Sequence, residues 1–488
     1  LYNVAVGENA LSSITTGERC TAVGRHALEL NTASHNTAVG MNSLEANLTG
    51  EANTAIGTRS LAINLTGNNI TAVGKDALSA NTTGSDNVAV GTYALDANTT
   101  GYGATGVGVN ALGANTTGGY NSAFGDAALE SNTTGGDNTA LGRAALRTNT
   151  TASYNTAVGK DALTANTTGA NNSALGKSSL QANTTGGQNT ALGRSALAEN
   201  TTASNNTAVG HAALELNTTG SPNTAVGAFS LDANTTGVRN SALGYYALGA
   251  SSTGVNNSAF GDSALASNTT ANDNNAFGYN SLNANTTGSN NVAVGSYALD
   301  NNTTASNNTG IGYAALDANT TGDQNVAVGA TALDANTTGR NGIAVGYTAL
   351  GANTTGENNV AVGVGSLQTN TTADNNVAMG YQALKLNTTG TTNVAVGSYS
   401  LDANTTGSQH TAVGYNALTA CTGSANNTAI GYDALEDTTT GTGNTAIGSR
   451  CLRENTTASN NTGVGFDALI ANTTGATNVA VGYRALDA

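Results

Sequence analysis

The chain has 488 residues, a formal net charge of −15, 63 glycines against one proline, no tryptophan, and only 9% charged and 4% aromatic residues. A core built around bulky anchors is excluded, because Ala, Thr, Asn, Gly, Val and Leu carry almost the whole chain. The acidic balance argues against nucleic acid as a partner, and no apolar run approaches the roughly 18 residues needed to insert into a membrane as a helix.

From LYNVAVGENALSS at the start to NVAVGYRALDA at the end, one unit recurs. With Asn155 as position 1 it reads N-T-A-V-G-x-x-A-L-x-A-N-T-T-G-x-x. Glycine holds position 5 at Gly7, Gly24, Gly40 and then every 17 residues to Gly482, which makes 29 units. The step from Gly24 to Gly40 is 16 residues, so a shortened loop is expected in ELNTASHN. Position 9 is leucine from Leu11 to Leu486, and position 4 is always apolar, as in Val6, Ile56, Val158, Leu175, Phe260, Met379 and Val481. Positions 6, 7, 10, 16 and 17 vary freely. Residues 1–488 are therefore expected to form one continuous array, and the start at Leu1 and stop at Ala488 in mid-repeat suggest a segment of a longer chain.

The unit lacks the i, i+3, i+4, i+7 pattern of an amphipathic helix, and its Thr-Thr-Gly is poor helix interior. Leucine-rich repeats need more leucines per unit. The fold expected is all-β: a parallel β-solenoid of about 29 coils, each with two short strands, T-A-V and A-L-x-A, joined at the position-5 glycine and around NTTG. Alternation predicts Thr156, Val158, Leu163 and Ala165 inside and Ala157 outside. Stacking turns Leu146, Leu163 and Leu180 into a leucine ladder and Asn149, Asn166 and Asn183 into an amide ladder. At about 4.8 Å per coil the rod would be roughly 140 Å long. An outward file of alanines suits close packing against another chain, so a homotrimer is expected.

Residue types that carry chemistry are scattered. Cys20, Cys421 and Cys451 stand at different repeat positions without metal spacing and read as free small hydrophobes. His26, His35, His211 and His410 are isolated and read as surface residues. Asp161, Asp232 and Asp402 have no fixed partner for paired-carboxylate catalysis, and neutral Asn recurs where a calcium-binding roll repeats Asp. AVGVGS and GYGATGVGVN are turn glycines, without the strand, helix and Lys of a phosphate loop. No catalytic residue, cofactor or metal is expected.

Two features remain. N-T-T is a glycosylation sequon, and position 12 supplies 23 N-x-[ST] sites, among them Asn81, Asn98, Asn166, Asn183, Asn336 and Asn472. Tyrosine collects at position 6 in the later half, at Tyr245, Tyr279, Tyr313, Tyr347, Tyr381 and Tyr415, an exposed aromatic row suited to carbohydrate or to a neighbouring fibre.

Asn155 to Gly159 with Ala162, and NVAVG at 291–295, resemble the head repeats of trimeric autotransporter adhesins, of the form N-S-V-A-I-G-x-x-A-x-A-x-G. The unit here is longer, with ALxANTTG in place of AxAxG. The whole chain also resembles the NTAVG…ALxxNTTG arrays of tail-fibre-like and surface proteins of bacteria and phages. These resemblances imply parallel β-rolls, three chains side by side, on a cell or virion surface. The function expected is a non-enzymatic structural fibre or filament: an extracellular, self-associating shaft that holds an unseen tip towards a host-surface glycan or protein. The alternative is an ice-binding or carbohydrate-binding β-solenoid.

Overall fold

The computed structural model describes residues 2–487 and shows an all-β parallel solenoid of 17-residue coils, with no helix among the described residues. Each coil contributes one three-residue strand, from β1 (Val4–Val6) through β10 (Thr156–Val158) to β29 (Val479–Val481). The chain divides into two compact units, Leu1–Ala242 and Leu243–Ala488. In the first, β1 to β14 (Thr224–Val226) pair in order; in the second, β16 (Ser258–Phe260) to β29 do the same, all parallel. Register is strict, with Ala157 between Ala140 and Ala174. The single 16-residue step pairs Thr21 with Thr37, as expected. Its missing residue is one of the two threonines, because Asn31 Nδ2 reaches the carbonyl of Ala33, two residues on, where other coils span three.

The alternation within T-A-V is the reverse of the sequence expectation. Ala157 is fully buried, whereas Thr156 and Val158 face outward, and the same holds from coil to coil. The reason lies in what faces the strand. The interior of so narrow a coil is filled by Leu163, Ala162 and the amides, so only a methyl fits opposite them. Volume compensation confirms how tight the fit is. Cys451 stands where most coils have Ala, and the facing position-3 residue of the next coil is Gly463, at which a Cβ would lie 2.5 Å from the Cys451 sulfur.

A-L-x-A is not a second strand. Positions 6 to 11 form a turn in which Asp161 (φ 59°) and Leu163 (φ 51°) are left-handed, and Asn171 at position 17 is left-handed too (φ 61°). Leucine in this region costs roughly 1–2 kcal/mol. What offsets it is complete burial together with a bond from Leu163 N to the Ser179 carbonyl of the next coil. Because the turn does not alternate, Ala162 goes inside and Ala165 is only half-buried. Gly159 (φ +131°) makes the corner after the strand.

Two amide ladders close the coil. Asn166 Nδ2 donates to Asn149 Oδ1 (3.0 Å) and to the Gly169 carbonyl (2.9 Å). Asn155 Nδ2 donates to that same carbonyl (3.0 Å), and its Oδ1 accepts from the Asn172 amide of the next coil (2.9 Å). Gly169 serves by close approach rather than by φ: a Cβ there would come within 2.2 Å of the Gly186 carbonyl oxygen, and coils with alanine at this position, such as those of Ala152 and Ala203, accommodate the extra methyl by a local shift.

Candidate functional site

Burial separates what the coil uses for itself from what it presents. Positions 1, 3, 8, 9, 12 and 15 are inside, and the outer faces are the strand's positions 2 and 4, the edge at position 6, and the turn face at positions 7 and 10.

The strand face is apolar wherever position 4 appears. Leu141, Leu175 and Leu192 in the first unit and Phe277, Ile311 and Met379 in the second are all exposed. Phe260 and Phe277 stack at 4.9 Å with planes 7° apart. The sequence expectation that this face is interior is corrected here, and with it the idea that alanines meet a partner. Ala157 touches only its own coils; the outward file is Val158 and its copies.

The six sequon asparagines all hold position 12, the ladder position of Asn166. Asn81, Asn98, Asn166, Asn183 and Asn336 are fully buried, and each Nδ2 bonds the preceding ladder amide, as in Asn336 to Asn319 Oδ1 (2.8 Å). A glycan on any of these nitrogens would displace bonds that hold adjacent coils. Asn472 is half-buried and makes the corresponding bonds to Asn455 Oδ1 (3.2 Å) and the Gly475 carbonyl (2.9 Å). Of the threonine pair, Thr167 donates its hydroxyl to the Thr184 carbonyl, and Thr168 is exposed.

All six tyrosines are exposed, along one edge of the second unit. Further rings at position 7 join them: Tyr297 is edge-on to Tyr279 (5.3 Å) and Tyr313 (5.9 Å), and Tyr399 to Tyr381 (5.3 Å) and Tyr415 (6.1 Å). On the adjoining turn face, burial and its neighbour Asp317 push the Asp300 carboxyl up to about 6. Burial also raises Asp317 and Asp334, the next two carboxyls in the file. The sequence showed these residues but not their adjacency, which needs the turn geometry.

One histidine departs from expectation. His410 is buried, at the ladder position usually held by Asn. Its Nε2 lies 2.9 Å from the Ser424 carbonyl, and the Asn427 amide donates to Nδ1 (3.3 Å), the two bonds a ladder Asn would make. Burial holds its pKa below the usual histidine value and raises that of Cys421, whose sulfur is 3.6 Å away. Both are neutral packing groups. The three cysteines are free and buried. Among the described residues no group of three or more His, Cys, Asp or Glu could hold a metal ion, and no helix is long and apolar enough to cross a membrane. No protein-family model matches the chain, and no curated protein matches it.

Proposed function

We propose that this chain is a non-enzymatic structural fibre segment that associates with further copies of itself through the outward strand face, most simply as a homotrimer. One observation carries the reading. Position 4 is apolar in every coil although it faces outward, while the outward positions 6, 16 and 17 take residues of any kind. The coil's own packing does not demand an apolar group there, so a partner surface does. In each unit the face is about 60 Å long and 10 Å wide, on the order of 600 Å² per partner, close to what a stable interface buries. Another sheet face of the same repeat matches its row spacing along that whole length. An extracellular shaft on a cell or virion surface, bearing an adhesive tip as in adhesins and tail fibres, is the setting that fits a repetitive interior built mainly of small apolar groups and amides. Light scattering on the isolated protein tests the association: a trimer has three times the 47.9 kDa chain mass, and a monomer at micromolar concentration would overturn it.

A second reading draws on the first unit, where the outward pair in β10 is Thr156-x-Val158 and threonine recurs at position 2 on neighbouring coils. Flat ranks of threonine beside methyl groups order water, which suits ice binding. Thermal hysteresis that disappears in T156K/T190K supports this reading, and its absence in the wild type rejects it.

A further inference from the structure

From the second unit we infer a binding strip, on the edge of the solenoid, for a single extended, neutral, β-linked polysaccharide of the cellulose or chitin type. The shaft would thus hold glycan along its flank, independently of any tip and of the face that joins copies.

Tyr245, Tyr279, Tyr313, Tyr347, Tyr381 and Tyr415 recur every 34 residues, on every second coil. At the same position the coils between them carry Asp262, Ser296, Ala330, Val364 and Ser398, none of them aromatic. A row of rings selected only for packing along the edge would gain from stacking on every coil, as Tyr415 and Tyr432 do at 5.6 Å. The alternation instead sets platforms about 9.6 Å apart, twice the interstrand spacing. In cellulose and chitin each sugar is flipped relative to the last, so every second ring presents the same face, and the two-ring repeat is close to that pitch.

Chemistry agrees with geometry. The row is tyrosine rather than phenylalanine, offering an apolar face with a hydroxyl at its tip. The six tyrosines are 45% to 59% exposed, which leaves room for a sugar against their side chains. Tyr297 and Tyr399 brace their neighbours edge-on, which limits reorientation. Beside Tyr297 and Tyr399 lie Asp300 and Asp402, close enough to interact electrostatically with them. Asp300 continues through Asp317 to Asp334 along the turn face. Asp334 lines a shallow cleft with Thr348 and Gln368. These groups accept and donate bonds to sugar hydroxyls, and their negative charge, on a chain of net −15, turns away polyanionic glycans. Six weak platforms on one rigid edge add through effective concentration.

The test is retention of the whole chain on microcrystalline cellulose and on chitin beads, with granular starch, whose chains coil, as the control. Wild type should be retained on one of the first two and released by the matching soluble oligosaccharide. Y279A/Y313A/Y347A/Y381A, with an unchanged circular dichroism spectrum, should lose at least tenfold in affinity. A variant that keeps the ring count but breaks the pitch, Y313A/A330Y, should lose most of it as well. No retention on either polysaccharide overturns the inference, as does equal retention of the four-fold variant. Full binding by Y313A/A330Y, or wild-type binding to starch as strong as to cellulose or chitin, overturns the assignment to an extended chain.

Discussion

Inside, the two units are the same molecule; outside, they are not. Each buries a leucine, alanines and paired amides in most coils, with Ser251, His410 and Cys421 among the exceptions at the amide positions. On the strand face of the first unit, threonine dominates position 2, whereas in the second Val326, Ile343, Val360, Val377 and Val394 follow one another, beside Val328, Val345, Val362, Met379 and Val396 at position 4. The edge changes likewise, from Arg143, Lys160, Lys177 and Arg194 on successive coils to the tyrosines. A fold that fixes so little of its surface lets different stretches of one solenoid carry different contacts, and differences between the units report on partners rather than on stability.

The largest effect should come from the strand face. V360E/V377E places two charges in the most apolar stretch, and burying an unpaired carboxylate costs several kcal/mol. Association through this face should weaken at least 100-fold by sedimentation, while the circular dichroism spectrum stays the same. T190E in the first unit should weaken it less. Equal effects would mean that the valine run has no special part in association. Next comes a change at which the units should not differ. N166A and N336A each remove bonds to a ladder neighbour and to a glycine carbonyl, leaving buried groups unpaired at about 1–3 kcal/mol each. Both variants should lose comparable stability in urea, and a large disparity would show that the interiors are not equivalent.

How much of this was legible in the sequence follows from what a period can and cannot encode. The 17-residue rhythm, the parallel stacking, the leucine and Asn166 ladders and the one short coil all follow from identity between units, and all appear in the structure. Which side of T-A-V is inside does not. Thr156 and Val158 are larger than Ala157, Val158 is the more apolar, and burying the large apolar group is the natural choice. The coil is too narrow for it, and narrowness comes from the left-handed Leu163, a conformation that leucine does not advertise. The same turn hid the second amide ladder at Asn155, read only as the first position of the unit, and the file of carboxyls at position 10. Cys451 with Gly463 was a readable signal, two departures from consensus that face each other, although Gly106 and Gly310 carry the same exchange opposite ordinary alanines.

Acid should separate two exceptions within the second unit, with opposite signs. His410 has a folded-state pKa below its ordinary 6.5, so the unfolded chain takes up the proton first and stability falls as pH drops below about 6.5. Asp300, raised from 3.8 to about 6, binds its proton more readily when folded, so the penalty it imposes above pH 6 is relieved as pH falls towards 4. H410N should remove the acid-side loss and D300N the acid-side gain. Urea melts at pH 7.5 and 5 for the two variants and wild type would show this, and identical pH dependence in all three would refute it.

The smallest effect belongs to the first unit's edge, and it tests whether that edge is shaped by stability at all. Arg143, Lys160, Lys177 and Arg194 stand on successive coils, so like charges face each other at about the 4.8 Å interstrand spacing. Two of them have acidic neighbours, Lys160 with Asp161 at 3.6 Å and Arg143 with Asp126 at 3.8 Å, and of these four side chains all but that of Asp161 are at least half exposed. Like charges directly opposite each other in a sheet cost a few tenths of a kcal/mol. K177E sets an opposite charge between Lys160 and Arg194 and should raise stability by about 0.5 kcal/mol at low salt, an advantage that vanishes near 1 M salt as screening shortens to about 3 Å. The equivalent exchange at the tyrosine edge, Y347E, should leave stability within that same margin at any salt. If K177E instead destabilises, the cations are held in place by contacts within the solenoid, and the first unit's edge is part of its architecture rather than a surface kept for something else.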